Sequence, residues 1–355
     1  MEPRGRTPTR IKVIGVGGSG GNALNHMRSA GVRGVELIAV NTDVHALDRC
    51  DAAVKINVGR ALTDGLGAGG DWIKGRDAAT ESLPQLAEVV RGADLLFIVA
   101  GAGGGTGSGA SAVIARAARA QSALTVGLVT RPFRWEGRVR NRTAEAGIGA
   151  LRGQVDALIT IPNDLLAQVV DRRTTLEEAF RVADDVLRQG VQAIADLVVD
   201  PDTLDVDLAD VERLLTDGGE CRIGIGFGAG AHRVEDAARQ AVTSPLLGAH
   251  IDRARGLLVN ITAGEDLTRQ DFEAAVGIIG AAAPAAALVS GAVTDQRMRG
   301  EARVTLVATG QPPWPRVDQE PLGPSGVPAR PRPQRGGDGA MAWPEWLADR
   351  LAPGW

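Results

Sequence analysis

Between Ile11 and Ile161, runs of Ile, Leu and Val are separated by stretches in which apolar residues return every three or four positions. The runs Ile11–Val16, Leu37–Val40, Leu95–Ala100, Leu124–Val129 and Ala157–Ile161 predict strands, and the stretches between them predict amphipathic helices. That alternation predicts an α/β fold, a doubly wound and mostly parallel sheet with helices on both faces. Ligands of such sheets lie at the carboxyl ends of the strands. Thr174 to Val199 predicts one long helix, with Thr174 or Thr175 as N-cap and Glu177 and Glu178 in its first turn. From Pro201 to Gly310 the pattern predicts a second, smaller α/β unit. Its helices start near Ala209, Val234 and Thr268; its strands are Arg222–Phe227, Gly256–Ile261, Val304–Ala308 and a buried strand Ala287–Val293.

Composition alters this picture at the ends. Gln311 to Ala340 is rich in Pro, Gly and Arg, so it lacks the apolar surface to fold and predicts a flexible linker. Met341 to Trp355 turns apolar again, with Trp343, Trp346, Leu347 and Leu351 at helical spacing after Pro344. That stretch is too short to be stable alone but suited to a partner's groove. The chain therefore divides into a basic extension (1–10), a ligand-binding domain (11–173), a central helix (174–199), a second domain (200–310), a linker (311–340) and a terminal peptide (341–355). The uncharged stretch Ala274–Val293 is mostly Ala and Gly with Pro284 inside it, too weak for a bilayer span, and Met1–Arg10 has no signal-peptide core. A net charge of -4 over 355 residues offers no general basic surface for nucleic acid. Cys50 and Cys221 lack metal-ligand spacing, so free thiols in a reducing cytosol and no protein-held metal are expected.

The candidate chemistry lies in two glycine-rich loops, each at a strand-to-helix junction. Gly15-Val16-Gly17-Gly18-Ser19-Gly20-Gly21-Asn22 follows the first strand, and Gly101-Ala102-Gly103-Gly104-Gly105-Thr106-Gly107-Ser108-Gly109 follows Leu95–Val99. Glycine lets backbone N–H groups approach an anion, and the following helix adds its positive dipole end. Two cradles in one unit argue for a polyphosphate longer than a diphosphate, hence a nucleoside triphosphate. The first loop also satisfies the dinucleotide fingerprint, with Asp43 near the place of a ribose-binding acid, which keeps a nicotinamide-dependent oxidoreductase open. The second loop has no role in that reading, and no Walker-type lysine motif is present.

The second loop resembles the signature of the tubulin/FtsZ family. Asn41-Thr42-Asp43, Gly65-Leu66-Gly67-Ala68-Gly69, Arg131-Pro132-Phe133 with Glu136, Gly137 and Arg140, Thr160-Ile161-Pro162-Asn163-Asp164, Ser244-Pro245-Leu246-Leu247 and Ala254–Gly264 are similar to the family in the same order. The resemblance implies a cytoplasmic GTPase acting at the division site, binding GTP or GDP with Mg2+ held mainly by the phosphates. It implies that Gly18, Ser19, Gly20, Gly21 and Asn22 wrap the nucleotide, that Gly104, Gly105, Thr106 and Gly107 hold phosphates, and that Gly67, Ala68 and Gly69 close over the γ-phosphate. Asn41 and Asn163 complete that set, with Glu136 and Arg140 at the ribose and neighbouring phosphate. Read from the residues alone, Glu136 and Arg140 are equally an i,i+4 surface ion pair.

Phe180 and Asp184 share a helical face, so the ring could stack on a purine while the carboxylate accepts from guanine N1–H and the 2-amino group; a core Phe beside a solvated acid is the plainer alternative. Asp205, Asp207 and Asp210 suit a helix N-terminus. The resemblance further implies that Asp207 and Asp210 orient the attacking water in the next subunit of a head-to-tail homopolymer. Asp205 stands where the family usually has Asn, which keeps open a nucleotide-binding but poorly catalytic scaffold. Trp343–Leu351 resembles the family's terminal peptide and implies division or membrane-tethering partners, with no direct membrane insertion.

Overall fold

The computed structural model describes residues 9–166, 174–199, 206–216, 218–248 and 250–315. Asp205, the terminal peptide Trp343–Leu351 and all of the linker beyond Pro315 lie outside the described residues. The elements, in chain order, are β1 (Ile11–Val16), α1 (Gly17–Ser29), β2 (Val35–Asn41), α2 (Val44–Asp48), β3 (Val54–Asn57), α3 (Arg60–Thr63), α4 (Trp72–Glu81), α5 (Leu83–Val90), β4 (Leu95–Gly101), α6 (Gly105–Arg119), β5 (Leu124–Arg131), α7 (Arg138–Arg152), β6 (Ala157–Pro162), α8 (Asn163–Leu166), α9 (Leu176–Val199), α10 (Leu208–Leu215), β7 (Gly219–Ala229), α11 (Arg233–Val242), β8 (Gly256–Ala263), α12 (Arg269–Ala282), β9 (Ala287–Thr294) and β10 (Glu301–Ala308).

The two predicted α/β units share one ten-stranded sheet, in the order β3-β2-β1-β4-β5-β6-β7-β10-β8-β9. The first six strands in that order are parallel, as their unbroken apolar runs require when helices cover both faces. Strand β7 joins the halves. Its first residues, Gly219–Cys221, pair in parallel with Ala157–Ile159 of β6, and the rest pairs antiparallel with β10. Strand β9 closes the far edge, pairing with β8 alone. It was expected to be buried, but as an edge strand it is covered only in part, with Ala287 and Thr294 exposed.

Three apolar cores hold this frame. One packs α1, α9 and α10 on one face of the parallel strands through residues such as Leu24, Met27, Phe97, Val186, Leu187 and Val211. A second packs α5, α6 and α7 on the opposite face around Ile14, Leu96, Ile98, Ile114 and Ile148. The third belongs to α11 and α12 against β8 and β10. Among the described residues no helix is long and apolar enough to cross a membrane.

Helix α9, 24 residues and so about 36 Å long, runs the height of the molecule. A Cβ added to Gly34, just before β2, would fall 2.7 Å from Val199, so the carboxyl end of α9 lies at the amino-terminal edge of the parallel strands. Its first turns lie at the opposite edge, where Phe180 meets Phe133 just beyond β5.

Gln311 to Pro315, expected to open a flexible linker, are instead docked against the sheet. Gln311 N–H donates to Glu220 O at 2.9 Å, and the Trp314 indole N–H donates to Thr160 O at 3.0 Å. The Arg222 guanidinium lies 3.7 Å from the centre of the Trp314 ring and donates to Pro312 O. Arg131, itself paired with Glu145, donates to Pro315 O. Thr160 is the first β6 residue beyond the three that pair with β7, so this strap fills the fork where the two strands part.

Candidate functional site

The first loop turns from β1 into α1 at Gly17, whose φ of 74° is a left-handed conformation that glycine takes without strain. The second turns from β4 into α6 through Gly103 and Gly104. Both helices begin without a side-chain cap and without an acidic residue in the first turn. By contrast α2, α4, α10 and α12 are each capped by Asp or Thr. The first N–H groups of α1 and α6 are therefore left for an anion, with two positive dipole ends beside them.

The loops interlock. A Cβ on Gly17 would touch Gly107 N at 3.0 Å, and one on Gly101 would strike the Ser19 side chain. Gly20 sits under Val99 O, Gly21 lies beside the Cys50 thiol, and Gly18 has open space where a side chain would be. Asn22 is exposed in the second turn of α1. A cleft of about 170 Å³ opens between this turn and β2, lined by Gly18, Gly21, Asn22 and the buried Asn41 among others.

A third loop packs on the second. Thr42 and Thr106 share a hydrogen bond of 2.7 Å, Gly67 N–H donates to Thr42 O, and a Cβ on Gly105 would meet Ala68 and the Asp71 backbone. Gly67 and Gly69 both have positive φ, and Gly69 faces open space. The structure thus packs the predicted loops Gly18 to Asn22, Gly67 to Gly69 and Gly104 to Gly107 against one another beside Asn41, with Gly18, Gly21, Asn22 and Asn41 lining the cleft itself.

On its far side, Glu136 accepts from Phe133 N–H at 2.8 Å and pairs with Arg140 at 3.2 Å. The stem of Arg140 lies where a Cβ on Gly103 would be, which keeps this arginine at the second loop. Asn163 opens α8; it is buried, and its Oδ1 has no hydrogen-bond partner in the described structure. A buried acceptor without a donor is costly, so this atom suits a ligand's N–H or O–H.

Phe180 forms an aromatic cluster that the sequence did not announce. It meets Phe133 edge-on at 5.6 Å and Trp135 at 6.2 Å, while Phe133 and Trp135 stack at 5.1 Å. Phe180 is nevertheless 40% exposed, so it keeps a face for a planar ligand. One turn on, Asp184 is partly buried, and burial pushes its carboxyl up to about 7, with His26 pulling down and Asp185 pushing up. Its neighbour Asp185 accepts from His26 Nε2 at 3.1 Å, Arg188 Nε at 2.7 Å and Gln189 Nε2 at 2.6 Å. Burial opposes its charge, but Arg188 and His26 outweigh burial and hold it far below the usual carboxylate range.

Amino-terminal residues 10–171 match the model of the tubulin/FtsZ family GTPase domain, and residues 219–311 match the carboxyl-terminal domain of the FtsZ family. The chain belongs to the tubulin/FtsZ family. It is FtsZ-like: an FtsZ dimer structure from M. jannaschii shares 38% identity and a TM-score of 0.82, over 86% of this chain and 89% of that one. More distant in sequence, CetZ2 from Haloferax volcanii, solved as a GTPγS-bound protofilament, shares the fold at 22% identity and a TM-score of 0.74, over 87% of this chain and 96% of its own. CetZ1 from the same organism, a GDP-bound monomer, shares it at 20% identity and a TM-score of 0.76, over 88% and 97%.

Within this FtsZ-like frame, Asp207 and Asp210 lie apart from the gathered residues. Asp207 caps α10 by accepting from Asp210 N–H at 3.0 Å, and Asp210 pairs with Arg213. Val206, just before them, packs with Leu197 near the carboxyl end of α9 and β9. These carboxylates are therefore separated from the glycine-rich loops by most of the length of α9.

Proposed function

We propose that this chain is a GTPase that assembles head to tail into filaments and hydrolyses GTP where two subunits meet, in the service of cell division. The observation that carries the reading is the separation just described. Phosphate cradles and base-facing side chains lie at one end of the molecule and the acids suited to orient water at the other, so a second copy is needed to complete the site.

The surface supports this. Among the described residues, the exposed large apolar side chains Val44, Leu62, Leu66, Ile73, Trp135, Val139, Leu176 and Phe180 all follow the carboxyl ends of the parallel strands, around the cradle; Val199 alone lies at the other end. Such a concentration marks a face that is covered in an assembly. That one relative was solved as a dimer and another as a protofilament supports self-association.

In this reading Phe180 stacks on guanine and ionised Asp184 accepts from its N1–H and 2-amino groups, while the N–H groups of α1 and α6 and Arg140 bind phosphates. Mg2+ is held chiefly by the phosphates. Asp207 and Asp210 of one subunit position water on the γ-phosphate of the next, and phosphoryl transfer needs little more than such positioning and charge stabilisation. The terminal peptide Trp343–Leu351 then recruits a division or membrane-tethering protein. The test is light scattering and sedimentation with GTP, GDP and ATP. GTP-dependent pelleting is the expected result; no assembly with GTP at any protein concentration would overturn the reading, and assembly without turnover would return the scaffold alternative.

A further inference from the structure

Two helices supply the two ends of the proposed ligand. Helix α1 presents its N-terminus to the phosphates, whereas α9 presents Phe180 and Asp184 to the base. The connection along the chain does not set their mutual position, since β2 to β6 lie between them in sequence. They pack together in the apolar core and are also joined by a partly buried polar contact. His26, in the last turn of α1, donates through Nε2 to Asp185 Oδ1 at 3.1 Å. Asp185 is 9% exposed, and its other donors, Arg188 at 2.7 Å and Gln189 at 2.6 Å, both belong to α9 itself. The helix that carries the base-facing groups thus holds its own carboxylate with two intrahelical donors, and α1 adds a third at the Oδ1 that Arg188 also uses.

We propose that His26 and Asp185 are positioning residues, a strut that fixes the distance between the phosphate cradle and the base-binding face so that one nucleotide spans both. The inference rests on the nucleotide reading above. Neither residue touches the ligand in this account, and the backbone amides of the cradle and the Phe180 ring remain intact without the strut. What is lost is the advantage a linked ligand gains from two sites held in register, because an ill-spaced pair no longer acts as a single site.

The test compares GTP with its parts. Binding of GTP, guanosine and tripolyphosphate is measured by calorimetry or competition in full-length wild-type protein, His26→Ala and His26→Gln, at concentrations below assembly, with melting temperatures recorded for each, and at pH 9, far enough above the value of about 7 for Asp184 that its ionisation does not depend on His26. The strut predicts that His26→Ala weakens GTP by about tenfold while guanosine and tripolyphosphate each stay within about twofold, the size of one lost bond to a charged group spread over register. His26→Gln, which can still donate to Asp185, recovers most of the GTP affinity. Unchanged GTP affinity in His26→Ala would overturn the strut, as would equal losses for GTP and both parts, which is the result of a merely structural contact. If wild-type protein binds guanosine and tripolyphosphate but gains nothing from their linkage in GTP, the strut fails while both subsites stand. If it binds none of the three, the nucleotide reading itself fails.

Discussion

Asp184 offers the sharpest test of base recognition, because its environment and its proposed task pull in opposite directions. Burial lifts its carboxyl from the ordinary 3.8 to about 7 in the free protein, yet accepting two hydrogen bonds from guanine requires the ionised form. Guanine binding therefore favours loss of the proton and lowers the bound-state value below the free one. The sign follows: affinity is fully present only well above about 7, is half lost at that value and falls further as pH drops below it. Working from a free value of about 7, apparent affinity falls about twofold at pH 7 and about tenfold at pH 6 relative to pH 8, since each unit below the midpoint is a factor of ten.

The assay is GTP binding between pH 6 and 8, below the assembly concentration, for wild type and Asp184→Asn. The ratio of the two cancels the nucleotide's own phosphate titration. Asp184→Asn binds more weakly at pH 8 but shows no such slope. A wild-type curve parallel to that of Asp184→Asn would refute the argument. On the stability side the same raised carboxyl acts oppositely: without ligand, its contribution is fully present below 3.8 and declines as pH rises toward 7, so nucleotide-free protein loses some stability over that window.

Other outcomes follow from the packing. Asp207→Asn keeps an N-cap acceptor on α10, so it should leave the melting temperature within a few degrees and GTP binding unchanged while lowering turnover at least about a hundredfold; normal turnover in that variant would remove Asp207 from the chemistry. Gly75→Ala places a methyl against Gly105 O across the α4–α6 contact, and the shift it forces should cost about 1–3 kcal/mol in urea unfolding and weaken GTP, through displacement of the second loop. Truncation after Pro315 should preserve melting temperature and GTP hydrolysis while abolishing partner capture, whereas truncation after Gly310 removes the Trp314 strap and should lower stability by about 2–4 kcal/mol.

Much of this fold was legible because the parallel strands are buried on both faces and read as unbroken apolar runs. β3 escaped notice because Val54-Lys55-Ile56-Asn57 is four residues long and alternates, the mark of an edge strand. The single continuous sheet was not legible either. Parallel pairing of β6 with β7 involves only three residues on each side, and no local pattern reports a contact between strands separated by so much chain. Trp314 was hidden for a compositional reason, since one indole that docks in a strand fork does not raise the apolar content of a Pro- and Gly-rich stretch.

The glycine loops were readable as strand-to-helix junctions, and the structure adds that the first turns of the helices they open have neither side-chain caps nor acids. Trp135 and His26 were missed because each acts through a residue far away in sequence, Phe180 and Asp185 respectively. The one available signal for Asp185 was its place beside Asp184 on the buried side of an otherwise apolar helical stripe, where a charge needs partners.

The central claim is that one subunit holds the phosphates and another the acids. It is tested most directly by GTP turnover per molecule as a function of protein concentration in Mg2+ buffer. Specific activity should be near zero at high dilution, rise steeply over the range where sedimentation detects assembly, and then level off. Mixing an excess of Asp207→Asn subunits with wild type should lower it, because some cradles then face a neighbour without the carboxylate. A specific activity that stays constant down to high dilution would show that a single chain completes its own site, contrary to the account.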